Sequence, residues 1–180
     1  MREIEGTRTE KNLNEAFAGE CQARVKYEYY ASQARKDGYE QIAEIFLESS
    51  GNEREHAKLW FKQLHGGKVP ETLANLKDAA GGENYEHEDM YVRMAREARE
   101  EGFEEIAKMF EGVGDIEAQH EERYRKLVEN IEEGMVFKGD GVTVWRCRNC
   151  GYIHIGEEAP EMCPICAHPR GFFEIAAQNY

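Results

Sequence analysis

Residues 113–125 read VGDIEAQHEERYR and contain the spacing Glu117-x-x-His120. A near copy lies upstream at an offset of 64, where Glu53-x-x-His56 stands in SGNEREHAKLW. Two residues three apart lie on the same side of a helix, with about 5–6 Å between their Cβ atoms. Each pair can therefore direct a carboxylate and an imidazole toward one point, and the chain offers that pair twice.

Four long helices are predicted from the apolar periodicity. The first begins at Thr7, because the residues from Thr7 to Glu10 fit a capping box. The last carries apolar side chains at alternating steps of four and three, and this spacing places Glu117 and His120 on its buried face. The four helices are expected over residues 7–36, 39–64, 83–101 and 103–131.

The connection between the second and third helices is expected to run from Lys68 to Gly82, with Pro70 inside it. Such a connection is long for a helix bundle. A crossover along the bundle would explain it, as in ferritin-like folds.

The two helix pairs repeat. The segment GYEQIA at 38–43 matches GFEEIA at 102–107 at the same offset of 64, whereas Gly19-Glu20 matches Gly82-Glu83 at an offset of 63. One extra residue must be absorbed in the third helix, and we expect a π-bulge there, a feature often found at functional sites. Two hairpins related by a pseudo-two-fold axis are expected to bring their Glu/His faces together at the centre of a bundle.

Glutamates on apolar helix faces predict bound cations, because a buried carboxylate without a partner is costly and these faces hold too few Lys and Arg to neutralise them. One Glu from each of two helices and Glu-x-x-His from each of two others is the ligand pattern of dimetal carboxylate bundles. Such oxygen-rich ligation suits iron or manganese, and iron is favoured for redox work. Tyr27 and Tyr91 lie about two turns beyond Glu20 and Glu83, where they could hold ligand carboxylates or be ordinary core residues. The candidate ligands are Glu20, Glu53, His56, Glu83, Glu86, Glu117 and His120.

A small β-type unit is expected after Gly134, with short strands at 136–137 and 142–145. It holds two Cys-x-x-Cys pairs, at 147–150 and 163–166, whose four thiolates can bind Zn²⁺ or a single iron. A unit of about 40 residues cannot be stabilised by its core alone, so the metal is also structural. The fifth cysteine, Cys21, is interpreted as an apolar residue. The metal ligands are Cys147, Cys150, Cys163 and Cys166, and the two domains are expected at residues 1–134 and 135–180.

The charge of the chain argues against nucleic-acid and membrane partners. The net charge is −13, and residues 135–180 contribute only four Lys/Arg and five Asp/Glu, so the acidity lies in the helical portion. No apolar run approaches the length of about 18 residues that spans a bilayer. The start MREIEGTRTEKN has no apolar core of a secretory signal, and a cytoplasmic location is expected.

Both parts of the chain resemble the rubrerythrin family, which is a ferritin-like di-iron bundle followed by a rubredoxin-like domain. The resemblance implies two iron ions in a di-iron-oxo site and one iron held by the four cysteines, with zinc as the alternative there. It further implies that Glu53 and Glu117 bridge the irons and that Glu86 gives way to His56 on reduction. The departures are Cys21, where a small polar residue is expected, and His87, where an aromatic one is. The resembling motifs are Gly19-Glu20, Glu53-x-x-His56, Glu83-x-x-Glu86, Glu117-x-x-His120, Cys147-x-x-Cys150-Gly-Tyr and Cys163-Pro-x-Cys166.

The function that the resemblance implies is a non-haem iron peroxidase that reduces hydrogen peroxide to water and protects against oxidative stress. Electrons would come from rubredoxin or an NAD(P)H-rubredoxin reductase. The alternatives are a ferroxidase that oxidises Fe²⁺ with O₂ and a zinc-ribbon adaptor on a structural bundle. Because the helix continues from His120 to Ile131, about 16 Å at a rise of about 1.5 Å per residue, we expect a head-to-tail homodimer or larger assembly.

Overall fold

The structure, a computed structural model, describes residues 4–177, which are mainly helical with one small antiparallel sheet. The chain divides into two compact units, one ending at Pro70 and the other beginning at Glu71, and each is described by itself. The mainly helical class with a small β region is confirmed, while the domain boundary at residue 134 stays a prediction. The elements are α1 (Arg8–Lys36), α2 (Glu40–Leu64), α3 (Thr72–Tyr85), a π-helical turn (Glu86–Met90), α4 (Tyr91–Glu100), α5 (Glu104–Glu132), β1 (Lys138–Cys147), β2 (Ile153–Glu158) and β3 (Phe173–Ile175).

The predicted start of the first helix is confirmed. The Thr7 hydroxyl oxygen accepts a hydrogen bond from the Glu10 backbone N–H at 3.1 Å. The Glu10 carboxylate in turn accepts the backbone N–H of Gly6 at 2.7 Å. These contacts satisfy backbone donors that no helical carbonyl reaches, so the helix begins where its sequence supplies a cap.

Both helical hairpins turn on a left-handed glycine. Gly38 has a φ of +84° and Gly102 a φ of +88°. In each turn the N–H of the following residue donates to a carbonyl five residues back, at 2.8 Å. This is the Schellman pattern, which favours glycine because a Cβ atom is strained in that conformation. The same turn chemistry at the offset of 64 agrees with the predicted repeat.

Small side chains fill the contact between the helices of each hairpin, and the two contacts are equivalent. The distance between ring centroids is 6.0 Å both for Tyr27 and Phe46 and for Tyr91 and Phe110. Every member of the first cluster has its counterpart in the second at the offset of the repeat. The clusters are Ala31, Ala34, Ala43 and Phe46 in the first hairpin, and Ala95, Ala98, Ala107 and Phe110 in the second.

Enlarging the equivalent alanines is expected to destabilise both hairpins. Ala43 and Ala107 have no exposed surface, so Ala43→Leu and Ala107→Leu should each cost about 1–3 kcal/mol through overpacking. Thermal unfolding followed by circular dichroism measures the effect, with Ala74→Leu at an exposed helical position as the control. A midpoint for Ala107→Leu equal to that of the control would contradict this description of the contact.

The predicted extra residue in the third helix is confirmed as a π-helical turn. It spans Glu86–Met90, and the backbone N–H of Tyr91 donates to the carbonyl of Glu86, five residues back. An α-helical bond would reach only four residues back, so this turn accommodates one residue more. The turn lies between the two positions whose repeat offsets are 63 and 64, Glu83 and Tyr91.

The predicted start of the third helix near Glu83 is wrong. Helix α3 begins at Thr72, and the non-helical connection runs only from His65 to Glu71. Gly81 and Gly82 were expected to lie outside the helix, but a glycine inside a helix costs only about 1 kcal/mol. The burial of Ala80 accompanies the continuation of the helix through them.

The buried line of α5 also differs from the predicted one. Glu117 and His120 are half-buried, whereas Ala107, Gly114 and Glu121 are buried. The small residues permit a close approach of the helices: a Cβ atom at Gly114 would lie 3.4 Å from the Cβ of Tyr91. The hairpin contact therefore follows the small residues, and the Glu/His stripe lies beside it. In α2 the equivalent buried residues are Ala43, Ser50 and Ala57.

The sheet has the order β2-β1-β3 with antiparallel pairing throughout. The predicted strand at 142–145 lies inside β1, but the one at 136–137 is a turn. Residues 139–141 lie within β1, where the register against β2 shifts. The side-chain N–H of the fully buried Trp145 donates to the Gly156 carbonyl at 3.1 Å. The small core consists of Trp145, Cys147, Ala159, Cys163 and Phe173.

No helix among residues 4–177 combines the length and the apolar character that crossing a membrane requires.

Candidate metal centres

The first hairpin brings Glu20, Glu53 and His56 together. The His56 Nδ1 lies 2.8 Å from a carboxylate oxygen of Glu53 and 3.7 Å from one of Glu20. One possible ligand atom from each residue falls within 4.8 Å of the others. Since Glu53 and His56 are three apart on α2 and Glu20 is on α1, the hairpin itself builds the cluster.

The second hairpin repeats this cluster with Glu83, Glu117 and His120. The His120 Nδ1 lies 2.7 Å from a carboxylate oxygen of Glu117 and 3.8 Å from one of Glu83. Both distances are nearly equal to their counterparts in the first cluster. The two predicted Glu-x-x-His pairs thus each gain one carboxylate from the neighbouring helix of the same hairpin.

The carboxylates of these clusters lack basic partners. Among the described residues, the ion pairs of Glu20, Glu53, Glu83 and Glu117 are all with His56 or His120, and none is with Lys or Arg. Burial, and then the negative charge of Glu117, raise the pKa of Glu83. A raised carboxyl pKa means that negative charge is under-compensated, and a bound cation would compensate it.

Glu86 lies near the second cluster without joining its close group of ligand atoms. It is half-buried in the π-helical turn, and its charge contributes to the raised pKa of Glu83. Burial first, and then Glu86, also raise the pKa of Tyr91. Glu86 therefore shares the electrostatic environment of Glu83 and Tyr91.

The two predicted tyrosines occupy equivalent places in the hairpins. Tyr27 packs on Phe46 and Tyr91 on Phe110. These contacts are those of core tyrosines. After burial, the negative charges of Glu86, Glu117 and Glu83 contribute to the raised pKa of Tyr91. A hydrogen bond from either hydroxyl to a ligand stays a prediction.

The four predicted cysteines converge beside the small sheet. The sulfur atoms of Cys147 and Cys166 are 3.7 Å apart, and those of Cys150 and Cys163 are 3.6 Å apart. Both distances far exceed a disulfide bond of about 2.05 Å, and all four cysteines are free. Cys147 and Cys163 are buried in the core, whereas Cys150 is exposed.

Two equivalent backbone loops hold these sulfur atoms. The N–H of the residue after each second cysteine donates to the carbonyl of the first, at 2.8 Å in one loop and 2.9 Å in the other. Those residues, Gly151 and Ala167, have φ values of +79° and +55°. The hydrogen bond from the His168 backbone N–H lowers the pKa of Cys166, which favours the thiolate that a metal requires.

The comparison with known proteins agrees with both kinds of site. A family model described as rubrerythrin matches residues 11–128. A model of the rubredoxin-like domain of rubrerythrin matches residues 145–174. The chain belongs to the rubrerythrin family. Rubrerythrins are iron-dependent oxidoreductases associated with peroxide and oxidative stress.

Relatives match the chain over nearly its whole length. The chain is 49% identical to the rubrerythrin of Nitratidesulfovibrio vulgaris over all of both proteins. It is 46% identical to the rubrerythrin of Porphyromonas gingivalis over 98% of this chain and 94% of that one. A solved structure of nigerythrin in a mixed-valence state is 35% identical in sequence. The match covers 93% of this chain and 86% of the nigerythrin chain, with a TM-score of 0.36.

Iron fits both kinds of centre, as expected for a rubrerythrin. The carboxylate and imidazole donors of the helical clusters suit ferrous and ferric iron, and four free, converging thiols suit a single iron. Cys21 is half-buried and lies outside these clusters, and its interpretation as an apolar residue stays a prediction.

Sequence reasoning missed one polar cluster beside the second centre. Glu121 is 8% exposed, and its carboxylate accepts hydrogen bonds from His87, Asn84 and Arg125. The repeat contained the signal, because Glu121 corresponds to Ala57 at the offset of 64 and so places a carboxylate where the first hairpin has an alanine. His87 was noted only as a departure from the family pattern.

Proposed function

We propose that the chain is a non-haem iron peroxidase that reduces hydrogen peroxide to two molecules of water. The observation that supports this most directly is the pair of equivalent Glu/Glu/His clusters in one chain with a four-thiol site. The reaction consumes two electrons and two protons for each peroxide. The helical clusters suit the peroxide chemistry, and the thiol site suits delivery of single electrons.

The ligands that we assign to the two helical irons are the seven residues predicted from the sequence. Glu53 and Glu117 would each help to hold both irons, and Glu86 would exchange with His56 in holding one of them on reduction. Two observations support the exchange. Glu86 lies outside the close ligand group of its hairpin, and the side chain of His56 is 50% exposed while that of His120 is 38% exposed. The assigned ligands are Glu20, Glu53, His56, Glu83, Glu86, Glu117 and His120.

Reduced iron would supply the two electrons and polarise the oxygen atoms of the peroxide. The protein side chains hold and position protons. The pKa of Tyr91 is raised, so its hydroxyl keeps its proton at neutral pH and can donate a hydrogen bond toward the neighbouring carboxylates.

Electrons would enter through the four-thiol site from rubredoxin or an NAD(P)H-rubredoxin reductase. Helix α5 continues without a break from His120 to Glu132, about 18 Å at a rise of about 1.5 Å per residue, before the small domain begins. We therefore infer a head-to-tail homodimer or larger homo-oligomer, in which the thiol site of one chain serves the helical irons of another.

A steady-state assay tests the proposed function. With NADH, a rubredoxin reductase and rubredoxin, the iron-loaded protein should consume NADH in proportion to added hydrogen peroxide, at two electrons for each peroxide. The four-thiol iron should reoxidise on mixing the reduced protein with peroxide. Turnover with Fe²⁺ and O₂ to a ferric mineral, without peroxide-dependent NADH oxidation, would instead indicate a ferroxidase.

A further inference from the structure

Glu121 is a buried carboxylate at a position where the repeat has an alanine. Its counterpart in the first hairpin is Ala57, which is also buried. A buried carboxylate is costly unless hydrogen bonds compensate it. Glu121 can therefore lie buried between the helices only if it has hydrogen-bond partners that the first hairpin lacks.

Three side chains supply those partners. His87 Nε2 lies 2.5 Å from one carboxylate oxygen of Glu121, and the Asn84 amide donates to the same oxygen at 3.1 Å. The Arg125 guanidinium donates to the other oxygen at 2.5 Å. The carboxylate of Glu121 accepts hydrogen bonds from all three side chains. Glu121, His87, Asn84 and Arg125 are called the Glu121 network below.

The first hairpin has apolar residues at the positions that match Glu121, Arg125 and Asn84. Ala57 replaces Glu121 and Phe61 replaces Arg125 at the offset of 64, and Cys21 replaces Asn84 at the offset of 63. The Phe61 ring packs on Phe17, with centroids 5.7 Å apart. The Glu121 network is thus confined to the hairpin that contains the π-helical turn.

The Glu121 network spans the π-helical turn. Asn84 precedes the turn, and His87 lies within it. Both are bonded to one residue on α5. A π-helical turn is rare because its hydrogen bonding is less favourable than that of an α-helix, so its position is defined only if other contacts favour it. If the π-helical turn became regular α-helix, the side chain of Tyr91 would be rotated about the helix axis relative to that of Glu83 by about 100°. This is the angle between successive residues of an α-helix.

We propose that Glu121 is a positioning residue that fixes the π-helical turn through His87 and Asn84, and so keeps Glu83, Glu86 and Tyr91 in their mutual arrangement. The inference rests on the proposed function only in that Glu83 and Glu86 are the iron ligands assigned above. Glu121 acts through the backbone of the turn and has no role as a ligand.

Hydrogen exchange of the full-length, iron-loaded protein tests this proposal. In Glu121→Ala, which installs the residue of the first hairpin, the amides of residues 87–91 should exchange about tenfold faster or more, since charged hydrogen bonds are lost. The amides of residues 104–110 on the same hairpin should keep their rates. Glu121→Gln, which retains the shape and an acceptor oxygen, should restore most of the protection. Glu122→Ala, at the exposed neighbouring position, should leave both regions unchanged.

A second readout follows the iron. The visible absorption of the oxidised helical irons should shift in Glu121→Ala and return in Glu121→Gln, whereas the four-thiol absorption stays constant. Unchanged exchange at 87–91, or equal acceleration at 104–110, would overturn the proposal. If Glu121→Ala does not fold, amide exchange at residues 87–91 and 104–110 is measured in His87→Phe and judged by the same criteria. The exchange measurement uses no peroxide, so an absence of peroxidase activity would contradict the proposed function and leave this result standing.

Discussion

Cys163→Ala is expected to unfold the small sheet and release its iron. The domain core has only five buried residues, and two of them are the ligands Cys147 and Cys163. Structural metal sites of this kind contribute about 10–16 kcal/mol in zinc-finger peptides at neutral pH, far more than so small a core can replace. Iron content should fall by one ion per chain, the thiolate absorption should disappear, and amides of β1 should lose protection from exchange.

Two further variants separate metal binding from packing. Cys150 is exposed, so Cys150→Ala removes a ligand without leaving a core cavity and should still release the iron and unfold the sheet. Cys21→Ala removes a half-buried thiol from α1 and should do neither. A Cys150→Ala domain that remains folded without metal would show that packing alone stabilises it, contrary to the expectation.

Glu117→Gln is expected to reduce peroxide turnover by about a hundredfold or more, because even residues that only support a ligand often cost about 10–100-fold. Glutamine keeps the volume but removes the charge and one anionic donor from the cluster with Glu83 and His120. Glu53→Gln should have a similar effect, since Glu53 is its equivalent in the first hairpin. Steady-state NADH oxidation measures the loss. Glu122→Gln on the exposed face of α5 serves as the control.

Mixing two inactive proteins tests the head-to-tail inference separately. Glu117→Gln retains the thiol site, and Cys150→Ala retains the helical ligands. After subunit exchange, an oligomer that contains both variants would combine the intact thiol site of one chain with the intact helical ligands of the other. Such an oligomer should regain part of the activity. Persistent inactivity in a mixture shown to contain both chains would contradict the relay between chains, while the role of Glu117 as a ligand would be unaffected.

The repeat allowed much of the candidate sites to be predicted from the sequence. Comparison of offsets 63 and 64 located the π-helical turn to within a few residues, because an insertion must be absorbed between the positions that still match. The same comparison paired Glu53 with Glu117 and His56 with His120. The cysteine spacing identified the thiol site because few other functions require it.

Other features depended on contacts that periodicity does not encode. The stripe through Glu117 and His120 satisfies a helical period, but so does the adjacent line through Gly114, and close packing selected the line with small residues. The start of α3 was predicted wrongly because Gly81-Gly82 indicates a helix boundary when the burial of Ala80 is unknown. The importance of Glu121 could be recognised only from its three hydrogen-bond partners, which the sequence alone does not bring together.

The π-helical turn also bears on the genetic history of the chain. The glycine turns, alanine clusters and ring contacts of the two hairpins match so closely that duplication of one hairpin is the simplest origin for both. One additional residue corresponds to a single in-frame codon. Insertion of that codon in one copy, or its loss from the other, would have been enough to make two identical halves unequal, and each copy could then evolve under different selection.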